Sequence, residues 1–203
     1  MSSGIAFFML AGMQQPLLRH WPAWLEPDEA DAWLQQLIEE VPWKQEEITL
    51  FGKRHPLPRL TCWIADPGCG YRYSGLNNVI EAWTPLLSKI RQRVSAAANC
   101  PFNSLLLNYY RHGRDAMGWH ADDEKELDQL AAIASLSLGA ARSLRFKPKR
   151  GREGESLSLN LQHGDLLLMD PPTQEHWLHG LPRRLRLQQP RLNLTFRKVL
   201  AGN

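Results

Sequence analysis

Residues 191–197, RLNLTFR, alternate polar and apolar side chains without interruption. Because successive side chains of a β-strand point to opposite faces, this stretch predicts a strand with two different surfaces. The apolar surface would carry Leu192, Leu194 and Phe196, and the polar surface would carry Arg191, Asn193, Thr195 and Arg197. A strand buried on one side, with an arginine ladder facing water, would explain this pattern. The polar surface also suits a small dianion, because arginine forms bidentate hydrogen bonds with carboxylates that lysine does not reproduce.

The chain from residue 104 onwards has the same strand character. Short alternating or apolar runs, separated by glycine, proline and charged turns, cover residues 104–110, 131–138, 143–146, 156–161 and 165–169. Such a series of short strands is typical of a sandwich or jelly roll. Upstream, apolar residues at helical spacing predict helices at 28–41 and 76–98, where Pro85 either kinks the second helix or delays its start. The predicted fold class is therefore α+β, with helices first and a β core after them.

The composition limits the kind of protein that this chain can form. With 203 residues, of which 43% are hydrophobic and 22% charged, it can form one globular domain that needs no disulfide bonds. Cys62, Cys69 and Cys100 do not fit a disulfide framework and indicate a reducing compartment. The apolar run at residues 5–10 is too short to span a bilayer. It predicts a buried or edge strand in a cytoplasmic protein without membrane association.

The net charge of +3 is spread unevenly along the chain. Residues 142–152 contain six basic residues and no acidic one, and residues 181–203 contain six more without an acid. Either run alone would be explained as solvated surface. Because two such runs lie in the same half of the chain, a surface of the protein that faces a polyanion explains them equally well.

A candidate metal site begins in GWHADDEKE, residues 118–126. In a strand, His120 and Asp122 would face the same way and offer one nitrogen and one oxygen, although H-x-D alone is a weak signal. His179, far downstream in HWLHGLP, would add a second imidazole. This ligand set leaves open positions on octahedral iron(II), as in oxygen-activating enzymes, but zinc hydrolases also use it. Asn108 and Tyr110, which again share a face, could hydrogen-bond an acid.

Four segments, NYY, HAD, HWLHGLP and RLNLTFR, resemble motifs of the AlkB family of iron(II)/2-oxoglutarate dioxygenases, most closely its DNA-repair members. The motifs N-x-Y, H-x-D, a distal histidine and R-x-N-x-[ST]-x-R are matched in order, and the resemblance covers residues 47–199 approximately. It implies that iron(II) is bound by His120, Asp122 and His179. It implies that 2-oxoglutarate, used together with O₂, is bound by Asn108, Tyr110, Arg191, Asn193, Thr195 and Arg197. His176 competes for the third iron position, and His179 is preferred because it directly precedes the Leu-Pro turn.

The resemblance also implies a lid that holds a nucleotide substrate, formed by LFGKRHPLPR, residues 50–59, and GYRYSGL, residues 70–76. Phe51 would be a hydrophobic finger that enters the gap left by a flipped base, and Gly52 would permit the tight turn beside it. Phosphates would be contacted by Lys53, Arg54 and Arg59. The base would be stacked by Tyr73, flanked by Tyr71 and Ser74, and contacted by Glu124.

By this resemblance the fold is a double-stranded β-helix, or jelly roll, with N-terminal helices packed on it. The single domain would consist of an extension (1–46), a nucleotide-recognition lid (47–76), a supporting helix (77–99) and a catalytic core (100–203). The implied activity is oxidative demethylation of bases such as 1-methyladenine or 3-methylcytosine in single- or double-stranded DNA, and the protein is expected to be a monomer. Formaldehyde, succinate and CO₂ are the implied products. The alternatives are the same chemistry on RNA or protein, and a non-enzymatic jelly roll that binds nucleic acid.

Overall fold

The computed structural model of the protein describes residues 6–7, 14–50, 52–69 and 80–200. Phe51, Tyr71, Tyr73 and Ser74 lie outside the described residues, so the finger and the base-stacking contacts remain predictions. Of the apolar run at residues 5–10, only Ala6–Phe7 is described. It forms a strand at the edge of the larger sheet, which agrees with the prediction of an edge strand.

The described part of the chain contains two long helices, one helical turn and fourteen strands. The helices are α1 (Pro27–Glu40), α2 (Pro85–Ala98) and the short α3 (Thr173–His176). The first strands are β1 (Ala6–Phe7), β2 (Leu18–Trp21), β3 (Glu47–Leu50), β4 (Lys53–Pro56), β5 (Leu60–Ala65) and β6 (Ile80–Glu81). The remaining strands are β7 (Ser104–Tyr110), β8 (Met117–His120), β9 (Ile133–Gly139), β10 (Arg142–Pro148), β11 (Leu157–Leu161), β12 (Leu166–Met169), β13 (Trp177–Leu181) and β14 (Arg191–Arg197).

The second helix begins later than the expected residue 76. Residues Ile80–Glu81 form β6, and α2 starts at Pro85. Proline suits the start of a helix because a backbone N–H at this position would have no partner within the helix. Proline also disfavours the helical conformation for the residue before it. That residue, Thr84, is extended and caps the helix, because its hydroxyl accepts from the backbone N–H of Leu87 at 3.2 Å. The prediction for residues 80–84 was therefore wrong, and Pro85 delays the helix.

Two sheets face each other in the β core. The larger has eight strands in the order β1-β2-β12-β9-β14-β7-β5-β6, and the smaller has four in the order β11-β10-β13-β8. One face of the larger sheet packs on α1 and α2, with Leu194 and Phe196 buried together with Trp33 and Ile90. Burying each of these large apolar side chains stabilises the fold by about 1.5–3 kcal/mol. This arrangement matches the predicted jelly roll with N-terminal helices packed on it.

The opposite face of the larger sheet packs on the smaller sheet. A second apolar cluster joins Ile133, Leu167 and Met169 of the larger sheet to Phe146 and Trp177 of the smaller sheet. Beside this cluster, a pocket is lined by polar side chains together with several leucines and methionines. The outer strands β3 and β4 form a separate exposed hairpin.

In each of the two basic runs of the sequence, the fold buries some basic side chains and leaves others exposed. Arg142 is 1% exposed and donates to the backbone carbonyls of Asp115 and Pro182, so it is a structural residue. Arg191 and Arg197 are also buried. A continuous polyanion-facing surface along either run is therefore excluded by these three side chains. Among the residues described, no helix combines the length and apolar character that crossing a bilayer requires.

Candidate metal and cosubstrate site

Two neighbouring strands of the smaller sheet bring the candidate metal ligands together. His120 ends β8, His179 lies in the middle of β13, and the two residues are paired across the sheet. Asp122 lies two residues past the end of β8, in a loop and not in the strand that the sequence suggested. The possible ligand atoms of the three residues nevertheless all lie within 4.8 Å of one another. The Nε2 atom of His179 is 3.9 Å from Oδ2 of Asp122.

Burial and neighbouring charges set the protonation of this cluster. Burial, together with the adjacent His120, lowers the pKa of His179 to about 3. Burial also lowers the pKa of His120. Burial alone would raise the pKa of Asp122, but Arg197 and the two histidines outweigh it and hold that pKa below its usual value. At neutral pH the cluster therefore offers two neutral imidazoles and one carboxylate, the forms that bind metals.

Three neighbouring groups orient the ligands. The Nη2 atom of Arg197 donates to Oδ1 of Asp122 at 2.5 Å. The side-chain oxygen of Gln174 accepts from the backbone N–H of Asp122 at 3.0 Å. The carbonyl of Gly118 lies 2.9 Å from Nδ1 of His120, and because a carbonyl only accepts, we assign the proton to Nδ1. The Nε2 atom of His120 is then left for a metal, as is common for metal-binding histidines.

The donor set fits a divalent cation. Asp122 is 1% exposed, and its Oδ2 atom is buried without a hydrogen-bond partner among the described residues. A buried carboxylate oxygen in this state is costly unless a cation or a donor satisfies it. Two imidazoles and one carboxylate with open positions form the facial arrangement preferred by iron(II) in oxygenases. His120, Asp122 and His179 are therefore the residues that would hold the metal.

The polar face of β14 lines the pocket that contains this cluster. The pocket is also lined by all the residues predicted to bind metal or 2-oxoglutarate: Asn108, Tyr110, His120, Asp122, His179, Arg191, Asn193, Thr195 and Arg197. Arg191 is 1% exposed and Arg197 is 2% exposed, so the alternative of a water-facing arginine ladder is wrong. Both faces of β14 are buried, one in the apolar core and the other in the pocket.

Arg191 brings a buried positive charge to the pocket. Its guanidinium donates to the hydroxyl of Ser137 at 2.8 Å and to the carbonyls of Leu161 and Ala140 at 3.3 and 3.5 Å, all of them neutral groups. Its Nε atom is buried without a partner. Burial lowers the pKa of Arg191 to about 10, so the side chain remains a cation at neutral pH. A buried cation whose hydrogen-bond partners in the described part of the chain are all neutral is suited to binding a carboxylate.

Hydrogen bonds among neutral side chains fix the rest of this surface. Asn193 donates to the hydroxyl of Ser135 at 2.7 Å and accepts from the hydroxyl of Thr195 at 3.0 Å. Tyr110 is buried, and burial raises its pKa, so it remains a neutral phenol that can donate to an anion. These side chains of the pocket wall are therefore held by partners within the protein itself.

Arg59 is a correction to the sequence prediction. It was expected to contact phosphates at the surface, but it is 4% exposed, and its Nε atom donates to Oδ1 of Asn108 at 2.7 Å. The reason is its position directly before β5, which pairs with β7 and so directs Arg59 towards the pocket-lining Asn108. Arg59 thus orients an amide of the pocket from within the protein.

The remaining residues that were predicted to belong to the site lie in different parts of the structure. Gly52 has φ +75, a conformation that favours glycine, and forms the turn between β3 and β4 as predicted. Lys53 and Arg54 are exposed on this hairpin, where Arg54 lies 3.6 Å from a carboxylate oxygen of Glu47, and their contact with phosphates remains a prediction. Glu124 is half-buried two residues after Asp122, and its contact with a base remains a prediction. His176 ends α3 and is not part of the metal cluster, which leaves His179 as the third candidate ligand.

Sequence comparison with known proteins identifies relatives of this chain. The sequence profile described as "2OG-Fe(II) oxygenase superfamily" matches residues 17–197. The chain is 42% identical over 181 residues to DNA oxidative demethylase ALKBH2 of Mus musculus, covering 85% of this chain and 76% of that protein. The Homo sapiens ALKBH2 is 42% identical over 182 residues, covering 85% and 69%. The Mus musculus alpha-ketoglutarate-dependent dioxygenase alkB homolog 3 is 39% identical over 187 residues, covering 88% and 65%.

A solved structure shows the same fold at lower sequence similarity. The structure of OsALKBH1 superposes with a TM-score of 0.62 and 18% identity, covering 92% of this chain and 100% of that chain. The chain therefore belongs to the AlkB family within the 2OG-Fe(II) oxygenase superfamily. Its cofactors are Fe(II), 2-oxoglutarate and O₂, as the sequence motifs implied. The prediction of a dioxygenase is confirmed over the alternatives of a zinc hydrolase and a non-enzymatic binding module.

Proposed function

We propose that this dioxygenase removes alkyl groups from the nitrogen atoms of DNA bases such as 1-methyladenine and 3-methylcytosine. The observation that carries the proposal is the cluster of His120 with the buried Asp122 and His179 in a pocket that is also lined by Arg191. The similarity to proteins named DNA oxidative demethylase supports DNA as the substrate. The exposed cations on the β3–β4 hairpin, Lys53 and Arg54, are compatible with a polyanionic substrate.

The pocket residues have different roles in the proposed reaction. His120, Asp122 and His179 would hold the iron, which together with 2-oxoglutarate and O₂ would supply the oxidising power for hydroxylation of the N-alkyl carbon. In the overall reaction, one oxygen atom of O₂ would enter succinate, which forms with CO₂ from 2-oxoglutarate, and the other would leave with a methyl carbon as formaldehyde. No protein acid or base has to perform the oxidation itself, so the chain contributes binding and orientation.

Two arginines at opposite ends of β14 orient the cosubstrate. Arg191 offers its buried charge to one carboxylate of 2-oxoglutarate, assisted by the neutral phenol of Tyr110. Arg197 already holds Asp122, so it can orient the metal ligand and the second carboxylate together. Asn108, Asn193 and Thr195 add directed hydrogen bonds between these two ends. Burial of the pocket strengthens these interactions because little water competes with them.

The organisation of the whole chain is part of the proposal. We propose a single domain in which residues 1–46, 47–76, 77–99 and 100–203 serve as extension, nucleotide-recognition lid, supporting helix and catalytic core. The target base would leave the stack to reach the metal, as base-modifying enzymes require. Cys62, Cys69 and Cys100 are all free, which supports a reducing compartment such as the cytoplasm. A monomer is sufficient, because every predicted ligand comes from one chain.

Mass spectrometry of a defined oligonucleotide tests the activity directly. A single-stranded DNA carrying one 1-methyladenine or 3-methylcytosine is incubated with the protein, Fe(II), 2-oxoglutarate, ascorbate and air. We expect loss of the methyl group, with succinate formed in equal amount and no reaction when 2-oxoglutarate is omitted. Parallel reactions with duplex DNA, methylated RNA and a methylated peptide test the alternative substrates. Faster turnover of RNA or peptide than of either DNA would overturn the DNA assignment.

A further inference from the structure

Trp119 occupies an unusual position for a large apolar side chain. It directly precedes the metal ligand His120 on β8, yet 46% of its surface is exposed. Strand β8 is the edge strand of the smaller sheet, and side chains alternate along it. His120 therefore lines the pocket, while Trp119 faces outwards one residue away. A single exposed apolar residue needs no explanation, so its neighbours decide whether it marks a binding surface.

The neighbours of Trp119 on the outer face of the smaller sheet are cationic. The Nζ atom of Lys147 lies 4.6 Å from the centre of the Trp119 ring. Arg145, two residues earlier on β10, shares the outward face of Lys147 and is exposed. Gly180 lies opposite Arg145 on the intervening strand and adds no side chain between β10 and β8. Strands β8, β10, β11 and β13, all fully described, contain no aspartate or glutamate.

We propose that Trp119, Lys147 and Arg145 form a contact surface for unpaired nucleotides next to the base that enters the pocket. This inference rests on the proposed action on nucleic acid and adds the site that holds the flanking strand. An aromatic ring beside cations is the combination that binds single strands, because bases or sugars pack on the ring while the cations contact phosphates. A duplex keeps the faces of its bases covered by stacking, so the indole has less to contact there.

The position of the surface supports this occupant over a protein partner. His120 ends β8, which is the edge strand of the smaller sheet, so a strand whose target base lies near His120 and His179 can continue across this edge. Trp119 is the outward residue next to that metal ligand, and Lys147 is held over its ring. An excess of positive charge without an acid on these strands is complementary to a phosphate chain.

Binding of fluorescein-labelled oligonucleotides, followed by anisotropy without O₂, tests the surface. The probes are a single-stranded DNA with one central 1-methyladenine and several nucleotides on both sides, and a methylated trinucleotide. We expect Trp119→Ala to weaken binding of the longer strand about 5- to 100-fold, because one stacking contact is lost. Trp119→Phe should restore most of this affinity. The trinucleotide, which has almost no flanking chain, should bind wild type and Trp119→Ala about equally well.

A matched control comes from the opposite side of the molecule. Lys89 also lies over an indole, with its Nζ atom 5.5 Å from the ring of Trp33, but on α2. Lys89→Ala should leave binding unchanged, whereas Lys147→Ala should weaken it and reduce its salt dependence. Wild-type affinity of Trp119→Ala for the longer strand would overturn the proposal, as would equal losses for both probes.

Binding of metal and cosubstrate distinguishes a contact surface at Trp119 from a purely structural role of this residue. Demethylation measurements distinguish failure of the surface from failure of the proposed function. Trp119→Ala should bind Co(II) and 2-oxoglutarate like the wild type, and a loss of either would mean that Trp119 merely supports His120. If wild-type protein binds the longer strand through Trp119 but demethylates no DNA, the proposed function fails and the contact surface stands. If demethylation proceeds and Trp119→Ala has no effect on it or on binding, the surface fails and the function stands.

Discussion

The two faces of β14 are both buried, but they are built from different chemistry. Leu192, Leu194 and Phe196 have no exposed surface and pack against the helices. Arg191 and Arg197, on the opposite face, are as inaccessible as the leucines but carry full charges. Burying an apolar side chain stabilises the fold, whereas burying a charge costs free energy unless a partner compensates it.

This difference indicates which face is kept for function. Arg197 is compensated by Asp122, a charge that is itself placed to bind a metal. Arg191 has only neutral hydrogen-bond partners among the residues described. An apolar strand would be at least as stable in the same position. The polar face of β14 is therefore explained by a ligand that brings negative charge, and substitutions on the two faces should have different consequences.

The largest difference should come from removing the charge of Arg191. Arg191→Met keeps an unbranched side chain of similar reach but loses the cation, and it should weaken 2-oxoglutarate binding by about 2–5 kcal/mol. Thermal unfolding should change much less, because the fold gains nothing from the charge. Calorimetric titration with 2-oxoglutarate in the presence of Mn(II) measures the affinity. Thr195→Val on the same face is the control, with a loss of about 1 kcal/mol for one hydrogen bond. An unchanged affinity of Arg191→Met would show that this arginine is not a ligand.

The apolar face should show the opposite behaviour. Leu194→Ala opens a cavity in the main core and should lower the free energy of unfolding by about 2–5 kcal/mol. At a temperature where the variant is folded, its affinity for 2-oxoglutarate should equal that of the wild type. Urea unfolding and the same titration measure the two quantities. A large loss of affinity without a loss of stability would contradict the division of the strand into a structural and a functional face.

A smaller effect is expected from Gln174, which supports the metal ligand from outside the pocket. Gln174→Leu removes the acceptor for the backbone N–H of Asp122 and should weaken Co(II) binding about 10- to 100-fold, the usual range for outer-shell contacts. Affinity for 2-oxoglutarate at saturating metal should change little. Gln174→Glu retains an acceptor oxygen and should recover part of the metal affinity. Equal Co(II) affinity in the leucine variant and the wild type would remove Gln174 from the description of the site.

Local sequence pattern predicted a large part of this site. The alternation of residues 191–197 identified both faces of β14, and the spacing of His120 and Asp122 identified two ligands of one cluster. Strand geometry explains the first of these results, because it fixes the direction of neighbouring side chains. Asp122 lies past the end of β8, so its place in the cluster depends on the loop that follows the strand. The helix α1 was predicted for a similar reason, since the apolar residues of Pro27–Glu40 follow the helical period.

Contacts between distant segments were not predictable in this way. Arg59 meets Asn108 across 49 positions, and Gln174 meets Asp122 across 52 positions. Neither residue belongs to a periodic pattern, so only the pairing of β5 with β7 and the position of α3 reveal their partners. Arg142 was expected at the surface for the same reason, since a basic run does not show which of its members the fold buries.

Titration of the metal-free protein with Co(II), an oxygen-stable substitute for Fe(II), tests the central claim most directly. The wild type should bind one ion per chain, and 2-oxoglutarate should bind more tightly once the ion is present. Asp122→Ala, which removes the only carboxylate of the cluster, should lose more metal affinity than the ~10- to 100-fold expected for an outer-shell change. Circular dichroism verifies that the variant is folded. A wild type that binds no ion, or an Asp122→Ala variant that binds it equally well, would contradict the assignment of the site.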